Sequence, residues 1–138
     1  MKQEDKELLL VDLSAKLPYK VKIECINADN ETVIEELFTI GIEEDIFDCN
    51  MIEYVSVKPY LFPLSSMTEE QRNEFLNIQS EDRKLLLDTL IKYRYEKEDK
   101  IPIIPLQKHI DWLNANLFDY RGLIEKGLAI DATNKNIY

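Results

Sequence analysis

Glycine, histidine and cysteine are scarce in this 138-residue chain, with counts of 3, 1 and 2. Three glycines cannot build the Gly-rich loops that cradle phosphates, and neither G-x-x-x-x-G-K-[ST] nor G-x-G-x-x-G occurs. H-E-x-x-H and G-x-S-x-G are absent as well. A structural zinc site takes about four ligands, and Cys25, Cys49 and His109 exhaust the nitrogen and sulfur donors. Neither a metal nor a cofactor is expected. The two cysteines form no C-x-x-C pair and read as reduced thiols packed as small apolar groups. No apolar run approaches the roughly 18 residues of a membrane span. The opening Met1-Lys2-Gln3-Glu4-Asp5-Lys6-Glu7 lacks the apolar core of a secretion signal, so a cytoplasmic location is expected.

What is present is ordinary for a folded protein: 45% hydrophobic and 32% charged residues, in a length that suits one domain. The charge is less ordinary. The formal net charge is −10, and residues 1–60 hold 14 acidic side chains against 6 basic ones. Displacing counterions from phosphates takes clustered Lys and Arg, so direct nucleic-acid binding is disfavoured. Anionic membranes are disfavoured for the same reason. A basic protein partner, steered by the acidic half, is compatible with this field.

The hydrophobic pattern predicts an α+β fold: an N-terminal helix, a small antiparallel meander of three or four strands, then a helical C-terminal half packed on the sheet. One domain over 1–138 divides into helix plus meander at 1–57, a Pro-containing packed connector at 58–67, a helical half at 68–132 and a tail at 133–138. Leu9, Leu10, Leu13 and Leu17 share one side of a helix over 5–17, with Asp12 and Lys16 opposite and Pro18 as its stop. From Tyr19 the period changes to two, which puts Val21, Ile23 and Cys25 on a core face. Thr32–Ile40 is the expected returning strand, with Ile34, Phe38 and Ile40 together, followed by a bulge at Gly41 and an acidic turn at Glu43-Glu44-Asp45. Pro59 and Pro63 argue against a central strand at 58–66.

Thr68-Glu69-Glu70-Gln71 is a capping box that starts a helix to about Gln79, and Ser80 starts a second one to about Glu96. Leu86, Leu87, Leu90, Ile91 and Arg94 are expected on the inner side of that second helix. Ile101–Ile104 reads as extended. Pro105 opens a helix to Phe118 with Leu106, Ile110, Leu113 and Leu117 as its stripe. A last short helix lies between Gly122 and Gly127, and the tail from Thr133 is expected to fray.

Every imidazole mechanism must use His109, one turn before Trp112 and Leu113. Asp111 faces elsewhere on the helix and cannot orient the ring. A spatial pairing of His109 with Cys25 or Cys49 is left open by the sequence. Glu43, Glu44, Asp45 and Asp48 lack the spacing of a calcium loop. Trp112, Phe118, Tyr120 and Arg121, with Tyr93 and Arg94, form a possible interaction surface, because Trp, Tyr and Arg are enriched at binding hot spots.

Three segments carry a resemblance: Leu8-Leu9-Leu10 through Leu17-Pro18-Tyr19, Ser56-Val57-Lys58-Pro59-Tyr60-Leu61-Phe62-Pro63-Leu64 through Glu70, and Asp111-Trp112-Leu113-Asn114 through Ala129. Together they resemble a family of small uncharacterised proteins of Bacteroidetes phages and prophage-like elements. The resemblance implies a mobile-element origin and brings no activity or site residue with it. The expected function is non-enzymatic binding through protein–protein contacts, with an unknown host or phage protein as partner. One form of it is an acidic inhibitor of a nucleic-acid-binding or defence protein. The alternative is a small-ligand or nucleotide binder with a pocket between meander and helices, using His109, Arg94, Tyr120 and Arg121.

Overall fold

The computed structural model describes residues 2–43, 46–50, 52–96 and 107–138, except for the side chains at 42–48, 90 and 92–96. The fold is α+β, as the periodicities predict. It comprises two compact units, Met1–Ser66 with Asn114–Tyr138, and Met67–Leu113.

The first unit opens with α1 (Gln3–Lys16), which runs into a 3-10 turn at Leu17–Tyr19. Leu9 and Leu13 are fully buried, each contributing about 1.5–3 kcal/mol of burial energy. Asp12 and Lys16 do not face solvent as the sequence suggests; both are fully buried. They satisfy each other at i, i+4, so a charged pair occupies the inner face of the helix.

The main sheet contains β1 (Lys22–Ile26), β2 (Thr32–Glu36), the eight-residue β6 (Ser56–Pro63), β7 (Phe118–Asp119) and β8 (Ile130–Asp131). β1 lies between β2 and β6, antiparallel to both, while β7 and β8 join β6 in parallel. β3 (Ile40–Glu43), β4 (Ile46–Cys49) and β5 (Ile52–Tyr54) form a separate three-stranded meander. Leu9, Leu13, Ile23, Cys25, Val57 and Leu61 share one core with Leu117, Leu123 and Leu128.

The expected connector is therefore a central strand, prolines included. The Tyr138 hydroxyl accepts the Lys22 N–H at 2.9 Å and donates to the Tyr60 carbonyl at 2.7 Å, which extends the β1–β6 ladder. Ser56, Lys58 and Tyr60 thus turn their polar backbone groups toward β1, and Pro59 turns its nitrogen away. On that side Ala132 N–H reaches the Leu61 carbonyl at 2.8 Å, and β8 pairs only from Tyr60 onward. No ladder donor is needed at Pro59. The same hydroxyl joins the tail to β1 and β6.

The expected strand 32–40 breaks after Glu36. Asn50, left-handed at φ 53°, accepts the Phe38 and Thr39 N–H groups at 2.7 and 3.2 Å and donates to the Glu36 carbonyl at 2.8 Å. Asn tolerates this backbone region and mimics a strand edge with its amide. The kink buries Leu37 and leaves Phe38 exposed, while Ile34, opposite Glu24 in the β1–β2 register, lies on the outer face. Gly41 pairs in unbroken register with Asp48, so the expected bulge is absent. Glu44 and Asp45 of the acidic turn lie outside the described residues.

In the second unit the capping box forms: Thr68 N–H donates to Gln71 Oε1 at 2.9 Å, and Gln71 N–H to Thr68 Oγ1 at 3.1 Å. One helix, α2 (Glu69–Glu96, 28 residues), follows without a break at Ser80. No Gly or Pro interrupts it, so a potential cap in mid-sequence has nothing to terminate. Leu87 and Ile91 are exposed, not on its inner side. The extended reading of 101–104, Pro105 and Leu106 lie outside the described residues. α3 (Lys108–Ala115) ends three residues before the expected Phe118, because Leu117 adopts φ 59°. Turns replace the expected last helix. Asp119 accepts the Leu123 and Ile124 N–H groups at 2.9 and 2.8 Å, and Gly122 and Gly127 take φ 74° and 71°.

Candidate functional site

Two groups of charged side chains stand out, one in each unit. In Met67–Leu113 the centre is Asp82, on α2, with 4% of its surface exposed. His109 Nδ1 lies 2.7 Å from Asp82 Oδ2, and the His109 backbone N–H donates to the same oxygen at 3.2 Å. The carboxylate thus serves α3 twice, satisfying a free N–H of its first turn and holding its imidazole. These hydrogen bonds from His109 hold the Asp82 carboxyl below the usual carboxylate range. Phe75, one turn pair before Asp82, packs edge-on to His109 at 6.5 Å and against Trp112 at 5.5 Å.

A carboxylate on Nδ1 makes that nitrogen the donor, so the neutral ring presents its lone pair on Nε2. This is the orientation of a general base. Beside it lies a cleft of about 170 Å³ lined by Gln79, Asp82, Arg83, Leu86 and His109. Its size suits one side chain or a benzene-sized molecule. The lining holds no Ser, Thr or Cys, so it offers an oriented base without a nucleophile. Asp82 Oδ1 is buried and has no hydrogen-bond partner, which leaves a costly acceptor at the same place.

In the first unit Asp12 holds two cations. Lys16 Nζ contacts Asp12 Oδ1, and Arg121 donates to the same oxygen at 2.9 Å. Desolvation lowers the Lys16 pKa against the pull of Asp12. Both cations face the Tyr120 ring, Lys16 Nζ at 5.0 Å and Arg121 Cζ at 4.4 Å from its centroid, and Tyr120 donates to Asn114 Oδ1 at 3.1 Å. Burial raises the Tyr120 phenol. Lys16 has no exposed surface and Arg121 keeps 19%, and this group ties α1 to the 114–121 segment.

The structure describes the side chains of four of the six residues of the expected interaction surface. Phe118 is buried at 2% exposure, Tyr120 and Arg121 join Asp12 and Lys16, and Trp112 packs on Phe75. Tyr93 and Arg94 belong to α2, and their side chains lie outside those described. Cys25 is fully buried and its thiol is pushed up to about 12 by desolvation, so it is inert as a nucleophile. Among the described residues no three His, Cys, Asp or Glu side chains gather as metal ligands. No helix among them is long and apolar enough to cross a membrane.

Sequence reasoning missed Asp12, Lys16 and Asp82. Asp12 had a local signal, since it interrupts the apolar run Leu8–Leu13 and has a lysine one turn later. Asp82 had none, because its partner is 27 residues away. No family model, curated protein or solved structure matches the chain.

Proposed function

We propose that this protein is a non-enzymatic binding protein that acts through contacts with a basic protein surface, in keeping with a phage or prophage origin. One observation carries the reading: five large apolar side chains are exposed between residues 32 and 57, a stretch with 7 acidic and no basic side chains. Val33, Ile34, Phe38, Ile52 and Val55 are 43–65% exposed. Exposed apolar groups supply anchoring energy, and the surrounding acidic field supplies steering and selectivity. A protein that presents basic residues to nucleic acid has the matching chemistry, which makes inhibition by occupancy the finer form of the proposal.

The test is affinity capture from a nuclease-treated bacterial lysate at low and moderate salt, with a Phe38→Ser/Val55→Ser variant in parallel. The expected result is a basic protein retained by the parent, lost as salt rises and lost from the variant. Capture that ignores both the salt and the variant overturns the proposal, as does no capture.

A second reading rests on the unpartnered Asp82 Oδ1 beside the 170 Å³ cleft. There the protein binds a small hydrogen-bond donor, such as an alkylammonium or guanidinium group. Stabilisation of the parent by such compounds and not of Asp82→Ala would favour it; flat melting curves would remove it.

A further inference from the structure

α2 carries two apolar stripes on opposite sides, and only one is covered. Phe75, Ile78, Asp82, Leu86 and Thr89 follow the three- and four-residue spacing of one helix face, and they are the buried or half-buried positions. Leu76, Leu87 and Ile91 are 53%, 60% and 47% exposed. At 3.6 residues per turn these three fall within about 60° of one another, roughly opposite the covered stripe. Single exposed leucines are unremarkable on a surface, but three aligned along four turns form a stripe.

We propose that a second copy of this chain covers this stripe, through an antiparallel pairing of the two α2 helices. The positions themselves are symmetric. A two-fold axis passing between Glu81 and Asp82 sets Leu76 of one copy opposite Leu87 of the other, and Ser80 opposite Arg83. The small Ser80 at the crossing lets the helices approach closely. The same register sets position 72 opposite 91 and position 69 opposite 94, so an arginine stem lies over an isoleucine and a glutamate meets an arginine in sequence. An isologous interface needs this self-complementarity, because every contact occurs twice.

Charge distinguishes this arrangement from its alternatives. Before the two-fold axis α2 is acidic, with Glu69, Glu70, Glu74 and Glu81 against Arg72; beyond it Arg83, Lys84, Lys92 and Arg94 outnumber Asp82, Asp88 and Glu96. Antiparallel pairing lays the net acidic half over the net basic half and opposes the helix dipoles; parallel pairing stacks like on like. Residues 69–96 carry 7 acidic and 5 basic side chains, so little of the −10 that repels two copies resides here. A heavily basic partner is a poor match for so balanced a helix. The interface is a single helix pair, at the small end of specific interfaces, so association is expected in the micromolar range.

Sedimentation velocity over a wide concentration series tests the pairing. The parent is expected to shift from monomer to dimer. Leu87→Glu, at a site already in water, is expected to leave the far-UV spectrum and melting unchanged and to weaken association about tenfold or more. Orientation is read by crosslinking. Leu76→Cys mixed with Leu87→Cys is expected to form an intercopy disulfide, and either variant alone to form far less. A parent that stays monomeric, a dimer indifferent to Leu87→Glu, or self-crosslinking of Leu76→Cys above that of the mixture would each overturn the proposal. None of these outcomes bears on partner capture through Phe38 and Val55.

Discussion

Replacing Asp12 is the sharpest test of how the first unit is held. Asp12 and Lys16 are fully buried, and the Arg121 guanidinium shares the same carboxylate oxygen at 2.9 Å. Asp12→Ala leaves a buried ammonium without its contacting carboxylate and with only the weaker field of Asp119. Breaking a buried pair from one side costs about 3–5 kcal/mol, a large part of the roughly 5–15 kcal/mol a domain has to lose. In a unit of this size the melting temperature should fall by about 15–25 °C. Lys16→Met should cost far less, under about 1.5 kcal/mol, because it removes the buried charge, keeps much of the volume and leaves Asp12 paired with Arg121. The pH dependence separates charge from cavity. Desolvation lowers the Lys16 pKa, so between that value and the ordinary lysine value the unfolded chain binds more protons than the native one. Stability therefore rises with pH across that window, and the deficit of Asp12→Ala should shrink as the amine neutralises. Urea unfolding followed by far-UV dichroism at several pH values gives the differences. Amide exchange at 9–16 localises them, whereas Trp112 fluorescence belongs to the other unit. An Asp12→Ala within about 1 kcal/mol of the parent would refute the reasoning. So would a Lys16→Met that is equally damaging, or a deficit flat with pH.

Tyr138→Phe removes the hydroxyl that bridges Lys22 N–H and Tyr60 C=O, and should cost about 1 kcal/mol in urea unfolding near neutral pH. Burial pushes this phenol up to about 12, above its unfolded value, so its contribution is present below about pH 10 and lost as pH rises through the folded value. The parent should therefore lose stability in alkali more steeply than the variant. Asp82→Ala frees the His109 N–H and ring, so amide exchange should accelerate at 109–111 and Trp112 emission should change as the Phe75 contact loosens. Because His109 lowers the Asp82 pKa, the stabilisation from this carboxylate is present above the ordinary carboxylate value and lost as pH falls through the lowered one. The variant should lack that acid-side step.

Local rules were legible where a local interaction decides the outcome. The Thr68–Gln71 capping box closes as written, and the alternation from Tyr19 correctly puts Val21, Ile23 and Cys25 inside. The failures share one cause. Each residue was assigned by its own chemistry, and a distant partner reversed the assignment. Asp12 and Lys16 are polar and were placed outward, but Arg121, 109 residues on, makes their burial tolerable. Pro59 looked incompatible with a central strand until β8 and the Tyr138 hydroxyl decided which way its nitrogen faces. Phe38 follows the spacing of a core face, but Asn50 captures the backbone at 36–39; Ile34 is turned outward by its register opposite Glu24.

The same logic bears on where function lies. A polar group whose burial is compensated by distant partners is explained by folding, and the Asp12 group meets that standard through Oδ1. Exposed apolar side chains are not explained in this way, since nothing in the chain described here removes them from water. Phe38 and Val55 in the acidic segment, and Leu76 and Leu87 on α2, are 53–65% exposed. The interior of this protein is an apolar core with one charged group closed inside it, while further apolar side chains stay on the surface. That exposure points to partners, another protein for the first set and a second copy for the other, before it points to catalysis.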